Sequence, residues 1–295
     1  MSAAPDPGLT VMDSTQQRDV VMDGLVFAES PRWHDGRLWV SDWGAGRVWS
    51  LAPDGTRAVE AEVASFPLCI DFLPDGRLLL VSSTDRAVLR REPGGALSRH
   101  ADLSGEATTP WNEIVVDGHG RAYVNNIGFD FPAGEFAPGI IALVRPDGSV
   151  TRVADGLAFP NGMAVTPDGS TLLVAESYAE QVTAYTVDAD GRLADRRVWA
   201  ATPGDHPDGI CLDRDGALWY ADVGHAHCVR VREGGEVLAT VPFDRGAFSC
   251  VLDDGPDPRL YVVGQVFGDE QPDGPTGIAA RFPAPRGRAA SPAAG

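Results

Sequence analysis

A short repeated pattern constrains the fold of this 295-residue chain more than any other feature. Each copy is a tight turn, in most copies Asp-Gly, followed at once by an alternating apolar run. The turn glycines of the first five copies are spaced by about 40 to 50 residues, which is the period of a propeller blade. The six copies, of which the last is degraded, are HDGRLWVSD (34–42), PDGRLLLVSS (74–83), GHGRAYVNN (118–126), PDGSTLLVAES (167–177), RDGALWYAD (214–222) and DDGPDPRLYVVG (253–264).

Each copy predicts one four-stranded antiparallel blade. A short apolar strand precedes the turn, in which glycine supplies a positive φ, and three further strands follow it. Helical periodicity of useful length is absent from the sequence. Six copies therefore predict an all-β, six-bladed β-propeller, whereas a pair of β-sandwiches would not explain the six-fold register. The strand-like segment 19–25 is expected to supply the outer strand of the last blade and so to close the ring.

The domain organisation follows from the same pattern. The propeller is predicted to occupy residues 18–283, after a flexible N-terminal segment at residues 1–17. Residues 284–295 belong to a tail of low complexity that is expected to be disordered. Neither a secretory signal nor an apolar run near the roughly 20 residues of a membrane span is present, so we expect a cytoplasmic protein.

Composition argues against several classes of partner. The formal net charge is −18, from 42 acidic and 24 basic residues, and every basic residue is arginine. Such a surface repels phosphate backbones and anionic lipids, so neither a nucleic acid nor a membrane partner is expected. No GxSxG elbow, P-loop or GxGxxG motif occurs. We therefore expect a small-molecule substrate and a monomer or weak homo-oligomer.

The register of the repeats brings polar residues to one place. In a propeller the inner strands all start on one face, so residues at matching positions meet near the axis. About seven residues before the turn, five copies carry Glu29, Leu68, Asn112, Asn161 and Asp208, while the sixth position lies near residues 247–249. Each polar residue alone would be an ordinary turn or cap residue. Four together, with two carboxylates at close range, call for a cation between them.

The chemistry of these side chains limits which cation would fit. Carboxylate and amide oxygens, without His or Cys at the same positions, favour Ca²⁺. Mg²⁺ and Mn²⁺ come next, and Zn²⁺ is less natural for an all-oxygen set. The sequence thus predicts one divalent metal ion at the axis of the propeller.

Four motifs resemble the signatures of a known family. The family is the SMP-30/gluconolactonase family, also called the regucalcin or luciferin-regenerating-enzyme group. The motifs similar to its signatures, in this order and spacing, are ESPRW, WNEIVVDGHGR, FPNGMAV and HPDGICLD. The similarity runs from about residue 23 to about residue 282. The resemblance implies that Glu29, Asn161 and Asp208 bind one divalent metal, that Asn112 lies near the substrate, and that Asp208 is the catalytic base.

One position departs from the family members that hydrolyse sugar lactones. Those members carry an arginine that binds substrate hydroxyls two residues before the first Asn of the set, and here Pro110 stands at that position beside Trp111. Loss of an always-charged group with five donors, next to an aromatic ring, implies a substrate less polar than gluconolactone. Trp111 is expected to contact that substrate, as is Asp130, an acid of the following loop.

The loops between second and third strands should open on the face where the inner strands start. Two residues on these loops, Tyr178 and His225, are therefore also expected to contact substrate. His225 and His227 are spaced i, i+2 on a loop, where histidines face solvent or substrate more often than a metal, so no metal is assigned to them. His206, just before Pro207, is a candidate for support of the metal site from outside its ligand set.

Together these features predict a metal-dependent lactonase, that is, a carboxylic-ester hydrolase. The metal would polarise the carbonyl of a cyclic ester and stabilise the developing oxyanion, while Asp208 takes a proton from the attacking water. Two alternatives stay open at this point. One is a non-catalytic propeller with a structural or regulatory metal, and the other is a biosynthetic enzyme of the same fold that isomerises its substrate or forms a ring.

Overall fold

Six four-stranded antiparallel blades surround a central axis, one of them extended by a short additional strand, which confirms the predicted six-bladed β-propeller. The computed structural model describes residues 10–11, 18–268 and 272–291. Within each blade consecutive strands are neighbours, because short connections join antiparallel strands directly. The inner strand of each blade lines the axis, and the fourth strand lies at the rim.

The first three blades consist entirely of strands that are consecutive in the sequence. The first blade comprises Ala28–His34, Arg37–Asp42, Arg47–Leu51 and Arg57–Glu62. The second comprises Leu68–Phe72, Leu78–Ser82, Ala87–Arg91 and Leu97–Asp102. The third comprises Trp111–Val116, Ala122–Asn126, Gly139–Val144 and Val150–Leu157.

The next blades follow the same plan, with one short helix. The fourth blade comprises Pro160–Val165, Thr171–Glu176, Gln181–Val187 and Leu193–Ala201, with a 3₁₀ turn at Ser177–Ala179. The fifth comprises Pro207–Leu212, Leu218–Asp222, His227–Val231 and Val237–Pro242. The sixth takes Gly246–Leu252, Arg259–Gln265 and Gly277–Pro283 from the end of the chain and Asp19–Leu25 from its beginning.

The two ends of the propeller chain close the ring as predicted. Asp19–Leu25 pairs antiparallel with Gly277–Pro283 and forms the outer strand of the sixth blade. Thr10–Val11, which fell within the segment expected to be flexible, pairs in parallel with the outer strand of the fifth blade. The rest of that expected segment, residues 1–9 and 12–17, lies outside the described residues.

The core lies between neighbouring blades. Second strands such as Leu78–Ser82 and Leu218–Asp222 are buried along their whole length, whereas the outer strand Arg57–Glu62 is largely exposed. Apolar side chains from facing blades pack together, as between the second and third blades, and removing this surface from water is the main stabilising contribution. Among the described residues, no helix is long and apolar enough to cross a membrane.

The far end of the axis, opposite the starts of the inner strands, is crossed by the C-terminal segment. The Ala289 N–H donates to the Leu212 carbonyl at 3.0 Å, and the Arg288 guanidinium donates to the Trp33 carbonyl at 2.5 Å. Residues 284–291, which were expected to be part of a disordered tail, thus run along the propeller, and residues 292–295 lie outside the described part. A cavity of about 260 Å³ lies beneath this segment.

Candidate metal centre

A β-bulge interrupts the inner strand at Asn112, Asn161 and Asp208 and directly after Glu29. A bulge re-aims side chains out of the regular alternation of a strand. The regular pairing of the second blade, from Leu68 to Phe72, has no such shift, and the sixth blade has one that contains Phe248. The shifts in the other four blades lie between Glu29 and Arg32, Trp111 and Ile114, Pro160 and Met163, and Pro207 and Ile210.

The structure brings the four polar axial residues together. The Asn112 side-chain amide donates to Oδ1 of Asn161 at 3.2 Å, which joins the third blade to the fourth. Glu29 accepts a 2.8 Å hydrogen bond at Oε2 from the N–H of Ser30, whose φ of 47° lies in the left-handed region. Glu29, Asn112, Asn161 and Asp208 are all buried, with exposures of 4, 3, 8 and 9%. Residues far apart in the sequence thus form one buried polar cluster.

The glycines of the FPNG and HPDG motifs allow the inner strands to approach this closely. A Cβ at Gly162 would lie 2.5 Å from the Asp208 carbonyl oxygen and 2.6 Å from the Ile210 nitrogen. A Cβ at Gly209 would overlap the side chain of Ser249 in the next blade. The glycine that follows each of Asn161 and Asp208 is therefore required for the close packing of neighbouring inner strands.

The cluster holds more negative charge than its neighbouring cation neutralises. Burial and the charge of Glu113 raise the pKa of Glu29 to about 8, and burial and the charge of Glu29 raise the pKa of Asp208 well above its usual range. The nearby guanidinium of Arg32 donates to Glu113 at 2.8 Å and lies 3.5 Å from Asp71. A further positive charge between Glu29 and Asp208 would stabilise their ionised forms.

The residues present fit a divalent cation. Oδ1 of Asp208 is buried and has no hydrogen-bond partner among the described residues, although buried carboxylate oxygens normally have one. The neighbouring side chains offer carboxylate and amide oxygens, the ligands that Ca²⁺ prefers. Glu29, Asn161 and Asp208 are the residues that would hold such an ion.

Two supporting residues were not singled out from the sequence. The Asn125 side chain accepts from the Glu113 N–H at 3.1 Å and donates to the Asn161 carbonyl at 2.6 Å. The Ser177 hydroxyl donates to the Pro207 carbonyl at 2.8 Å, next to Asp208. The sequence signal available for the first of them was an Asn at the end of the largely apolar strand AYVNN, and the structure buries it completely.

In three blades, a carboxylate at the end of the second strand holds the loop that leads into the inner strand of the same blade. Each accepts hydrogen bonds from main-chain N–H groups of the loop just before a predicted ligand, so it sets where the inner strand begins. The pairs are Asp42 with Phe27 at 2.9 Å, Glu176 with Ala158 at 2.8 Å and Asp222 with His206 at 2.8 Å. The recurring acid at the end of the SD, AES and AD motifs was the sequence signal for this arrangement.

The residues expected to contact substrate differ in how far they are exposed to solvent. Trp111 is fully buried in the core between the second and third blades, because its bulged strand turns Asn112 rather than the indole toward the axis. This placement corrects the expectation that Trp111 contacts the substrate. Asp130 and Tyr178 are exposed, and Nδ1 of His225 lies 3.2 Å from the carboxylate of Asp222.

Aromatic rings form two clusters on the face where the inner strands begin. In the first, Phe27 packs against Trp43, Phe66 and Phe248 with ring centroids 5.0 to 5.2 Å apart, and Phe248 contacts Phe267. The second, between the third and fourth blades, contains Phe129, Phe131, Phe136, Phe159 and Tyr178. Phe27 and Phe159 each lie two residues before a predicted ligand, so both clusters adjoin the polar centre. Several rings are about half exposed, including Phe66, Phe136 and Tyr178.

Comparison with known proteins places the chain in a family. Residues 27–265 match the model of the SMP-30/Gluconolactonase/LRE-like region. The chain is 28% identical to an L-arabinolactonase of Azospirillum brasilense over 85% of its length and 83% of the relative's, and 27% identical to a pentonolactonase of Haloferax volcanii over 83% of each. A solved gluconolactonase of Xanthomonas campestris superposes with a TM-score of 0.74 at 27% identity, covering 91% of this chain and 89% of that one. This chain belongs to the SMP-30/gluconolactonase/LRE-like family.

Proposed function

We propose that this protein is a divalent-metal-dependent lactonase that opens a cyclic ester by attack of water. The main support for the proposal is that the side chains of Glu29, Asn161 and Asp208 are buried together at the axis. Oδ1 of Asp208 has no hydrogen-bond partner among the described residues. The relatives named L-arabinolactonase and pentonolactonase support the same class of reaction. Ca²⁺ is the ion that the all-oxygen ligand set favours.

Each residue of the centre has a distinct part in this mechanism. Glu29, Asn161 and Asp208 would hold the ion, which when bound supplies positive charge to polarise a carbonyl and stabilise an oxyanion. Asp208 accepts the proton of the attacking water as general base. The Asn112 side-chain amide donates to Asn161, so it is fixed in orientation and its oxygen is available to position the substrate.

The substrate is proposed to be less polar than gluconolactone. Pro110, which is half-buried, stands where sugar-lactone hydrolases of the family carry an arginine, and it offers no side-chain donor. The exposed rings of Phe66, Phe136 and Tyr178 border the same face. Apolar surface of this kind binds apolar parts of a ligand and leaves sugar hydroxyls without partners. Asp130 and Tyr178 remain the proposed contacts at the outer edge of the site.

The test is a panel of lactones and esters, from polyhydroxylated to alkyl-substituted, assayed after chelation and after return of Ca²⁺, Mg²⁺, Mn²⁺ or Zn²⁺. Glu29→Gln and Asp208→Ala should each lower kcat/KM by more than about 100-fold. Glu62→Gln, an exposed outer-strand change of the same chemistry, should leave it unchanged. Wild-type rates that survive both chelation and the two axial substitutions would end the proposal.

Other outcomes would point to the alternatives. A metal that raises the Tm while no member of the panel is hydrolysed would favour a non-catalytic propeller. Conversion of a panel member without uptake of water, followed by NMR of the products, would favour an isomerase or ring-forming enzyme of the same fold.

A further inference from the structure

Two histidines and two aspartates converge outside the axial centre, on the face of the fifth blade where its inner strand begins. Nδ1 of His225 lies 3.2 Å from carboxylate oxygens of both Asp205 and Asp222, and Nε2 of His227 lies 3.0 Å from Asp205. One ligand atom of each of the four residues lies within 4.8 Å of all the others. The two imidazole ring centroids are 5.6 Å apart, and both rings contact Asp205.

These separations are short enough for one metal ion to contact all four residues. Zn²⁺ binds His nitrogen and carboxylate oxygen at about 2.0 to 2.2 Å, which places neighbouring ligand atoms about 3.3 Å apart. His225 Nδ1 lies 3.2 Å from Oδ1 of Asp205 and from Oδ2 of Asp222, whereas His227 Nε2 lies 3.0 Å from Oδ2 of Asp205. A bound ion would draw one atom of each residue, now within 4.8 Å of one another, toward the tetrahedral spacing. A set of two nitrogens and two oxygens suits Zn²⁺, Co²⁺ or Ni²⁺ better than Ca²⁺. The chemistry of this cluster therefore differs from that of the axial centre.

Groups outside the cluster hold both carboxylates in place. The buried Tyr220 hydroxyl donates to Oδ2 of Asp205 at 2.6 Å. Asp222 is completely buried and accepts from the main-chain N–H groups of His206 at 2.8 Å and His225 at 2.9 Å. Support of this kind is what orients metal ligands before an ion arrives, and it limits the reorganisation that binding would require. The His225 side chain is 54% exposed, so an ion could reach the cluster from solvent.

We propose that Asp205, Asp222, His225 and His227 form a second metal site, selective for Zn²⁺ and similar borderline ions. The ion would replace the hydrogen bonds that now link the histidines to the acids, and it would join the loop before Pro207 to the loop between the second and third strands of the fifth blade. In this arrangement His225 contacts an ion rather than substrate. The site does not depend on the proposed lactonase activity, because none of its ligands belongs to the axial centre.

The experiment uses the full-length protein saturated with Ca²⁺, titrated with Zn²⁺ by calorimetry and with Co²⁺ by visible absorption. We expect one equivalent of Zn²⁺ and a Co²⁺ spectrum typical of four-coordinate ligation by nitrogen and oxygen. The double variant His225→Ala/His227→Ala should abolish both signals. Tyr220→Phe, which keeps all four ligands but releases Asp205, should weaken Zn²⁺ binding by about 10- to 100-fold.

Two controls make the result specific. His119→Ala removes an exposed histidine on a turn of the third blade and should leave Zn²⁺ binding unchanged. Glu29→Gln, which disturbs the axial centre, should also retain it. Circular dichroism and the Tm of the double variant verify that it is folded. The proposal is overturned if the Ca²⁺-loaded wild type binds no Zn²⁺, if the double variant binds it as tightly as wild type, or if Glu29→Gln removes it.

Discussion

The side-chain amide of Asn125 donates a 2.6 Å hydrogen bond to the main-chain carbonyl of Asn161, across the boundary between the third and fourth blades. The same side chain accepts the N–H of Glu113, the residue after Asn112, at 3.1 Å. One completely buried asparagine thus fixes the main chain beside two of the four polar axial residues. The position of the centre depends on contacts between blades as well as on the blades themselves.

Replacing Asn125 should therefore damage the centre without removing any ligand. We expect Asn125→Ala to lower metal affinity and kcat/KM by about 10- to 100-fold, since outer partners of metal ligands have effects of this size. The unpaired buried N–H and carbonyl should also lower the free energy of unfolding by about 1–3 kcal/mol. Calorimetric metal titration and urea denaturation measure the two effects.

Asn126 provides the matched control for this change. Its amide donates to the Thr109 carbonyl at 2.6 Å, so it supports a loop rather than the Asn161 main chain. Asn126→Ala should reduce stability by a similar amount but leave metal affinity within about two-fold of wild type once stability is taken into account. Equal losses of metal affinity in both variants would contradict a specific role for Asn125.

A second prediction concerns the glycine after Asn161. A Cβ at Gly162 would meet the main chain of the fifth blade at 2.5 to 2.8 Å, and a main chain yields less readily than a flexible side chain. Gly162→Ala should push two inner strands apart, cost about 1–3 kcal/mol of unfolding free energy and weaken metal binding. Gly105→Ala, where a Cβ would meet nothing within 4 Å, should be close to neutral in both measurements. A stable Gly162→Ala variant with wild-type metal affinity would show that the two inner strands do not need this close approach.

The sequence was sufficient to predict the fold and the meeting of Glu29 with Asp208, because a repeat register specifies which positions meet at the axis. The register also placed Asn112 at the axis, but the sequence did not show that Trp111 turns away into the core, since the bulge between Trp111 and Ile114 breaks the alternation on which such predictions rest. Contacts across blades, such as Asn125 with Asn161, join positions that no local pattern connects.

The contact of both His225 and His227 with Asp205 was also missed, because it joins positions that no local sequence pattern connects. His225 and His227 are visible as a pair in the sequence, but only the folding of the preceding loop brings an acid 3.0 to 3.2 Å from both. Spacing alone gave no reason to expect that third partner.

A third prediction is that Glu29→Gln will stabilise the metal-free protein and destabilise the Ca²⁺-loaded one. Burial and Glu113 raise the pKa of Glu29 from an ordinary 4.5 to about 8, so ionising this group opposes folding. In EDTA the wild type should therefore lose stability as the pH rises from about 4.5 to about 8, and the variant should lose less. At pH 8 in EDTA the variant should gain about 1–3 kcal/mol, which corresponds to a Tm increase of several degrees.

Added Ca²⁺ should reverse that order, because the ion stabilises the wild type by binding only the folded state and the variant lacks a carboxylate ligand. The check is urea denaturation at pH 5 and pH 8, each with EDTA and with Ca²⁺. A variant less stable than wild type at pH 8 in EDTA would show that the Glu29 carboxylate is not held in an environment that opposes its charge.

The last prediction concerns substrate polarity. Pro110 lies two residues before Asn112, and its carbonyl accepts from the Ile127 N–H at 3.0 Å, a contact that any residue at this position would keep. Pro110→Arg should place a charged donor beside the centre and raise kcat/KM for polyhydroxylated lactones by about 10-fold, the value of one charge-assisted hydrogen bond. Pro110→Ala separates this gain from the loss of the proline ring. If the alanine variant improves as much as the arginine variant, or if wild type already prefers polyhydroxylated lactones to alkyl-substituted ones, the inference of a less polar substrate is wrong.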